Sequence, residues 1–154
     1  KTVEILDKNN FSSKMLSLIN KDRIWSGLNR LILNWSLSQL AQDRANDMVK
    51  RDYFSHWTIE WKTANDLRFT YWIKTPVWEN IAKTISVKTV HASFMRSAAH
   101  RKNILYKQWT RIWLWFAKSQ DWNLIVVQLF STSPILESDT DTMRSEVVDL
   151  INEK

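Results

Sequence analysis

The sequence predicts an α+β fold, with helices through the first two thirds and an antiparallel hairpin near the end. Three observations carry this expectation. Apolar residues recur at helical spacing through residues 12–51 and again through 87–105. The period then changes, and two apolar-rich runs, 111–118 and 124–130, flank a short polar stretch. Helices that come first and strands that come later are the order of an α+β domain, and 154 residues make one domain with a core that needs no staples.

Each element has a local reason. Ser12 to Asp22 reads as a helix with Leu16 and Ile19 on one face, Met15 and Leu18 beside them, and Gly27 as its stop. Ser36 and Gln39 have capping-box spacing, in which the serine oxygen accepts from the backbone of Gln39 and the glutamine reaches back. Leu37, Leu40, Ala41, Ala45 and Met48 then continue at helical spacing to near Arg51, with Arg44 the one polar member, at the edge of the apolar face. Asp43, Arg44 and Asp47 read as solvated helix-surface charges. Residues 52–62 read as a loop and Thr63 to Phe69 as a short helix, while Pro76 biases Thr75 to an extended backbone. Val87, Val90 and Phe94 mark a helix ending near Ser97, with a further turn or two over His100 to Leu105. Arg111–Lys118 and Leu124–Phe130 form the hairpin around Ser119–Asn123. Val147, Val148, Leu150 and Ile151 suit a last short helix over Glu146–Ile151.

Composition narrows the function. With no cysteine there are no disulfides, thiolate metal sites or cysteine nucleophiles. No apolar run approaches the roughly 18 residues of a membrane span. The net charge of +6 is uneven: residues 1–131 hold 20 basic and 10 acidic side chains, and residues 132–154 hold 2 basic and 6 acidic ones. A basic body with an acidic tail suits either a solvated surface or a polyanion partner such as an envelope polymer. The basic residues are scattered rather than clustered with aromatics, which argues against nucleic acid. No signal peptide is visible in a sequence that opens on Lys1 rather than Met, an opening that suits a trimmed export signal. One glycine stands beside ten tryptophans, where average usage of about 7% would give about eleven glycines.

Several stretches, in order, resemble the CAP superfamily of cysteine-rich secretory, antigen five and pathogenesis-related proteins, and above all its cysteine-free bacterial SCP-like branch. Ile19-Asn-Lys-Asp-Arg23 with Gly27-Leu28 resembles the family's first helix and its exit, and Leu33-Asn-Trp35 with Leu37 and Leu40-Ala41 the start of the second. Phe54-Ser55-His56 resembles "FSH", Glu79-Asn80-Ile81-Ala82 resembles "GENIA", and Ser97-Ala-Ala-His100-Arg101-Lys-Asn103-Ile104-Leu105 resembles "SPGHRANIL". Arg111 to Ala117 and Val127-Gln-Leu-Phe130 resemble the closing strands. Each motif alone is weak, and five in family order are strong. The resemblance implies an α-β-α sandwich with a small, mainly antiparallel sheet between helical layers. It also implies a lead-in over 1–11, the domain over 12–131 and an acidic tail over 132–154. An extracellular or cell-envelope location is implied as well, with no export signal present in the given chain.

The departures from the family pattern are concentrated in tryptophan. Trp78 stands where the family has the glycine before Glu79, and Trp113-Leu-Trp115 where it has G-x-G. Trp61, Trp72 and Trp122, and with them Trp25 and Trp57, also fall at glycine-like places, whereas Trp35 and Trp109 fall where the family takes an aromatic. Glycine serves where φ is positive or backbones approach closely, and tryptophan is a poor substitute there. One explanation fits all eight: UGA codons for glycine read as tryptophan under another code. The alternative is genuine tryptophan enrichment for carbohydrate or membrane-interface contact. Ala98-Ala99 in place of Pro-Gly, and Arg30 in place of a proline, are smaller departures.

The resemblance also implies a cleft. By motif, His56 and His100 carry over as its histidines and Glu79 as its acid, while the second acid aligns with Ser97. Two neutral imidazoles can ligate a divalent cation such as zinc, with Glu79 orienting an imidazole or acting as a base. Neither spacing nor periodicity adds a metal signature, and isolated histidines ordinarily stabilise loops through hydrogen bonds. His91 matches no motif and reads as structural or exposed. Ser55 and Ser97 lack the strand–turn–helix setting of a hydrolase nucleophile. Three classes of function stand: a secreted binding or scaffolding module with an unknown ligand, a metal-dependent hydrolase using His56, Glu79 and His100, and an envelope glycan or polyanion binder.

Overall fold

The computed structural model describes residues 8–132. In chain order these form α1 (Lys8–Trp25), β1 (Ile32–Leu33), α2 (Trp35–Lys50) and α3 (Ala64–Leu67), which runs into a 3-10 turn (Arg68–Tyr71). β2 (Val77–Thr84), α4 (Val87–Arg96), α5 (Ala98–Ile104), β3 (Arg111–Lys118) and β4 (Leu124–Ser131) follow. One sheet has the strand order β1-β3-β4-β2, with β1 parallel to β3 and the other pairs antiparallel. The expected helix over 146–151 and the acidic tail lie outside the described residues.

Alternation along the strands divides two cores, as side chains of period two must. Ile112, Leu114, Phe116, Val126 and Phe130 pack with Met15, Ile19, Val90 and Phe94 of α1 and α4. Trp113, Ala117, Ile125, Val127 and Leu129 pack with Leu37, Leu40, Ala41, Ala45 and Met48 of α2. The sheet is therefore the middle layer of an α-β-α sandwich, and β2 is one of its edges.

The hairpin occupies the residues that the change of period marks, with β4 one residue longer, at Ser131. α1 begins earlier and ends later than the apolar stripe alone implies. Its stop is Gly27, at φ 71°, where the Gly27 and Leu28 amides return to the Ile24 and Arg23 carbonyls at 2.9 Å. The cap of α2 differs from the expected box. Asn34 precedes the helix in an extended conformation and its side chain accepts from the Leu37 amide, so Ser36 already lies inside the first turn. Gln39 bonds Asp43 instead of reaching back. Thr63 and Asp66 form a capping box at the start of α3.

Two polar side chains brace the layer of α1. Asn20 holds both the amide and the carbonyl of Leu31, at 2.7 and 2.9 Å, and so fixes the approach to β1. Arg23 is fully buried and donates to the carbonyls of Asn29, Ile104, Tyr106 and Trp109 at 2.7 to 3.4 Å. Burial lowers its pKa to about 10, and the carbonyls at the end of α5 supply the negative field that a cation favours there.

The tryptophans fall into two groups. Trp109 is buried, its indole N–H donates to the Asn103 carbonyl at 2.9 Å, and its ring stacks on Phe130. Trp61, Trp72 and Trp122 are exposed and have φ of 58°, 58° and 65°. Trp61 and Trp122 occupy the same place in two separate turns. In each, the indole-bearing residue donates its amide three residues back, and the turn closes one residue later through Thr58–Lys62 or Ser119–Asn123. Trp72 caps the 3-10 turn in the left-handed region. Trp113 is packed into the α2 core against Trp35, and its indole N–H has no hydrogen-bond partner.

Leu40 is fully buried beneath α2. Leu40→Ala is expected to lower unfolding free energy by about 2–5 kcal/mol in urea denaturation. A loss under about half a kcal/mol would place the residue outside the core.

Candidate functional site

The cleft lies over the edge strand β2. β2 carries Glu79 and Asn80 at consecutive positions, so they point to opposite faces of the sheet. Glu79 turns toward α2 and Asn80 toward α5. His56 reaches the cleft from the loop after α2, and His100 from the first turn of α5. A cavity of about 450 Å³ includes His56, Glu79 and His100 in its lining, together with Thr63, Asn65, Trp78 and Asn103. Ser97 lies at the junction of α4 and α5 and is not among the lining residues; Ala99 takes that stretch of the wall.

Glu79 is held by a buried fork. Arg44 Nε donates to its Oε2 at 2.8 Å and Nη2 to its Oε1 at 3.1 Å. Arg44 is 1% exposed, so the expectation of a solvated surface charge is corrected: it lies inside the apolar face of α2. A guanidinium can sit there because every arm finds an acceptor, including the Ser55 carbonyl at 2.8 Å and the Tyr53 hydroxyl at 3.0 Å. Burial works to lower the Arg44 pKa, but the hydrogen bonds and charge of Glu79 outweigh it and raise the value above the ordinary one. Tyr53 in turn donates to Asp47 at 2.5 Å, and burial with that bond raises its pKa to about 12. Asp43, on the exposed side, accepts from Tyr71.

The His56 Nδ1 faces Glu79 Oε1 at 3.0 Å, while the ring is half exposed. Glu79 thus receives three hydrogen bonds and orients an imidazole. His100 packs edge-on against Phe94, with ring centroids 5.1 Å apart. Its pKa is lowered, first by burial and then by the charge of His56, which places the two imidazoles within electrostatic reach of each other. Behind His100, the fully buried Asn80 donates to the His100 carbonyl at 3.2 Å and to Gln128 at 3.1 Å, and accepts from Asn103 at 2.8 Å. His91 is structural and buried, joining α4 to α1 through Asp22 at 2.7 Å.

Arg44, Asn80 and Gln128 were not identifiable as site supports from type and spacing alone. The signal available for Arg44 was its place in the apolar stripe, because a charge at such a position needs a buried partner.

The donor set fits a divalent cation only in part. Two imidazoles face the cavity, but Glu79 is committed to Arg44 and His56. Among the described residues, no group of three or more His, Cys, Asp or Glu side chains could hold a metal. A bound cation would therefore take two protein nitrogens and complete its shell with water or ligand.

Residues 16–130 match the cysteine-rich secretory protein family, CAP. The chain belongs to this family. The absence of cysteine fits the bacterial, cysteine-free kind of CAP domain. The uncharacterized protein YkwD of Bacillus subtilis (strain 168) is 31% identical over 111 residues, covering 71% of this chain and 43% of that protein. The chain thus spans less than half the length of that relative. Among solved structures, an outer surface protein of Borrelia burgdorferi superposes with a TM-score of 0.77 at 20% identity, covering 84% of this chain and 97% of that one. An extracellular SCP-domain protein of Bacillus anthracis gives 0.72 at 24%, covering 82% and 41%. These two show the CAP fold shared across distant sequences. No helix among the described residues is long and apolar enough to cross a membrane.

The lowered pKa of His100 has a thermodynamic consequence. The unfolded chain binds this proton more readily, so stability falls as pH drops from about 6.5, the unfolded value, through the lower folded one. NMR titration of metal-free protein is expected to place His100 below 6.5 and to move it upward in His56→Ala, which removes the neighbouring charge. A His100 that titrates at or above the unfolded value would contradict the geometry.

Proposed function

We propose that this CAP domain is an extracellular or cell-envelope binding module whose ligand enters the cleft between His56 and His100. The observation that carries the reading is the meeting of two imidazoles from opposite helical layers over one cavity, each supported from behind by buried polar side chains. The lining mixes hydrogen-bonding groups on Thr63, Asn65 and Asn103 with apolar Val77 and Ala64, which suits a polar ligand with hydroxyl groups, such as an envelope glycan. His56 and His100 would hold a divalent cation such as zinc, which would supply a Lewis-acid contact to the ligand. Glu79 serves as orienter and not as a free base, so binding is supported above hydrolysis. The location draws support from relatives described as extracellular and outer-surface proteins. Calorimetry with zinc is expected to show binding that weakens as the pH falls, since a protonated imidazole has no lone pair for a metal, and that disappears in a His56→Ala/His100→Ala protein. Equal heats for the two proteins would remove the cation from the cleft.

We also propose that Trp25, Trp57, Trp61, Trp72, Trp78, Trp113, Trp115 and Trp122 stand for glycines encoded by UGA. Three of them hold positive φ, the conformation glycine adopts freely and a bulky residue resists. Two of those three sit at the left-handed position of a hairpin-type turn, which glycine ordinarily fills. The buried Trp113 leaves its N–H unpartnered, in contrast to the hydrogen-bonded Trp109. At the cleft, glycine at 78 removes an indole from the wall. Glycine at 61, 72 and 122 is expected to raise stability by about 1–2 kcal/mol per position in urea denaturation, and the eight-glycine chain to be the more stable and soluble form. Unchanged stability, or TGG at these codons in the gene, would refute the proposal.

A further inference from the structure

We propose that Arg44 is a positioning residue of the cleft, which fixes both the place and the tautomer of the His56 imidazole. The zinc arm of the test rests on the binding reading above; the tautomer arm does not.

The geometry works through two contacts. The first is the fork on Glu79, at 2.8 and 3.1 Å, which holds the carboxylate in one orientation with Oε1 against His56 Nδ1 at 3.0 Å. A carboxylate paired with a guanidinium offers lone pairs and no proton. The hydrogen at this contact therefore belongs to Nδ1, and the neutral ring keeps its lone pair on Nε2, the nitrogen remote from Glu79. The second contact is Nη2 to the Ser55 carbonyl at 2.8 Å, which fixes the backbone one residue before His56. The Ser55 hydroxyl accepts from the Trp57 amide at 3.0 Å on the other side of the histidine. One buried guanidinium thus sets the position of the His56 backbone and the direction of its ring. The remaining arm, on Tyr53, anchors the guanidinium itself. Lysine has no fork to span Glu79 and Ser55 together.

The experiment uses the full chain, with Arg44→Gln and Arg44→Lys, and reads three quantities: the imidazole ¹⁵N shifts of metal-free protein, zinc affinity by calorimetry, and the urea midpoint. Wild type is expected to show His56 protonated at Nδ1. Arg44→Gln removes the fork that holds the carboxylate against Nδ1, so that Glu79 turns away from the ring, and is expected to move His56 toward the Nε2–H form and to weaken zinc by about 10–100-fold, the usual range for a lost outer partner of a metal-binding histidine. Arg44→Lys is expected to restore the tautomer and only part of the affinity. A purely structural arginine would shift the urea midpoint and leave the tautomer in place. A folded Arg44→Gln with the wild-type tautomer, or a wild type already protonated at Nε2, overturns the proposal. Should the glutamine variant not fold, the lysine variant decides: wild-type zinc affinity there shows that the fork is not needed and overturns it too. Absence of zinc binding in wild type would defeat the binding reading while the tautomer result stands, and then a lysine variant whose His56 resonances keep the wild-type line widths, with no broadening from a loosened loop, overturns the positioning role.

Discussion

Arg44 leaves water on the face of α2 that packs against the sheet, and a guanidinium there must be met by an anion and by an acceptor for each of its nitrogens. Glu79 is the anion, and the Ser55 carbonyl and the Tyr53 hydroxyl supply the rest. Removing one partner of such a pair leaves a buried charge alone, typically at a cost of about 3–5 kcal/mol. The pair therefore ties three separate parts of the chain into one arrangement: the second helix, the loop that carries His56 and the edge strand. The same contacts that make the charge tolerable also determine what the cleft presents to a ligand.

The edge strand solves a geometric problem. A cleft built from one helical layer would have all of its functional groups on one side of the sheet. β2 instead places Glu79 and Asn80 next to each other in sequence and on opposite faces in space. Each then supports one histidine from its own layer: Glu79 through a side-chain bond to His56, Asn80 through the His100 carbonyl. The two supports differ in kind. Glu79 acts on the ring and so on its protonation pattern, whereas Asn80 acts on the backbone of α5 and so on where the ring begins. Both are buried, which keeps competing water away from these hydrogen bonds.

What the sequence disclosed follows from which elements have a clean period. α2 packs one stripe against one sheet face, so Leu37, Leu40, Ala41, Ala45 and Met48 announce its phase. β3 and β4 lie in the middle of the sheet with both faces covered, and their runs are apolar throughout and bounded by polar residues. β2 escaped a reading by period because its two most buried polar residues interrupt any alternation, and those residues are there for the cleft. β1 is two residues long, too short for any period to register. The cap of α2 was misplaced because Ser36 and Gln39 have the right spacing, but the extended Asn34 begins the helix earlier. His56, Glu79 and His100 were found through family motifs rather than chemistry, since residues 23 and 21 positions apart carry no local signature. Arg44 was visible as an anomaly in the stripe, and only the fold shows what it meets.

The tryptophans and the cleft are linked through position 78. An edge strand beside a ligand site can present either its backbone or its side chains to what binds. With tryptophan, the wall beside Glu79 is an indole that is more than half exposed. With glycine, the same stretch of wall carries no side chain, and the cleft beside Glu79 is wider. The direction of the neighbouring carboxylate is set from the far side by Arg44. The direction of Glu79, and through it of the His56 ring, is fixed in the buried layer between α2 and β2, while His100 is held from the opposite face through Asn80, so the residue at 78 bears on the wall of the cleft and not on either support.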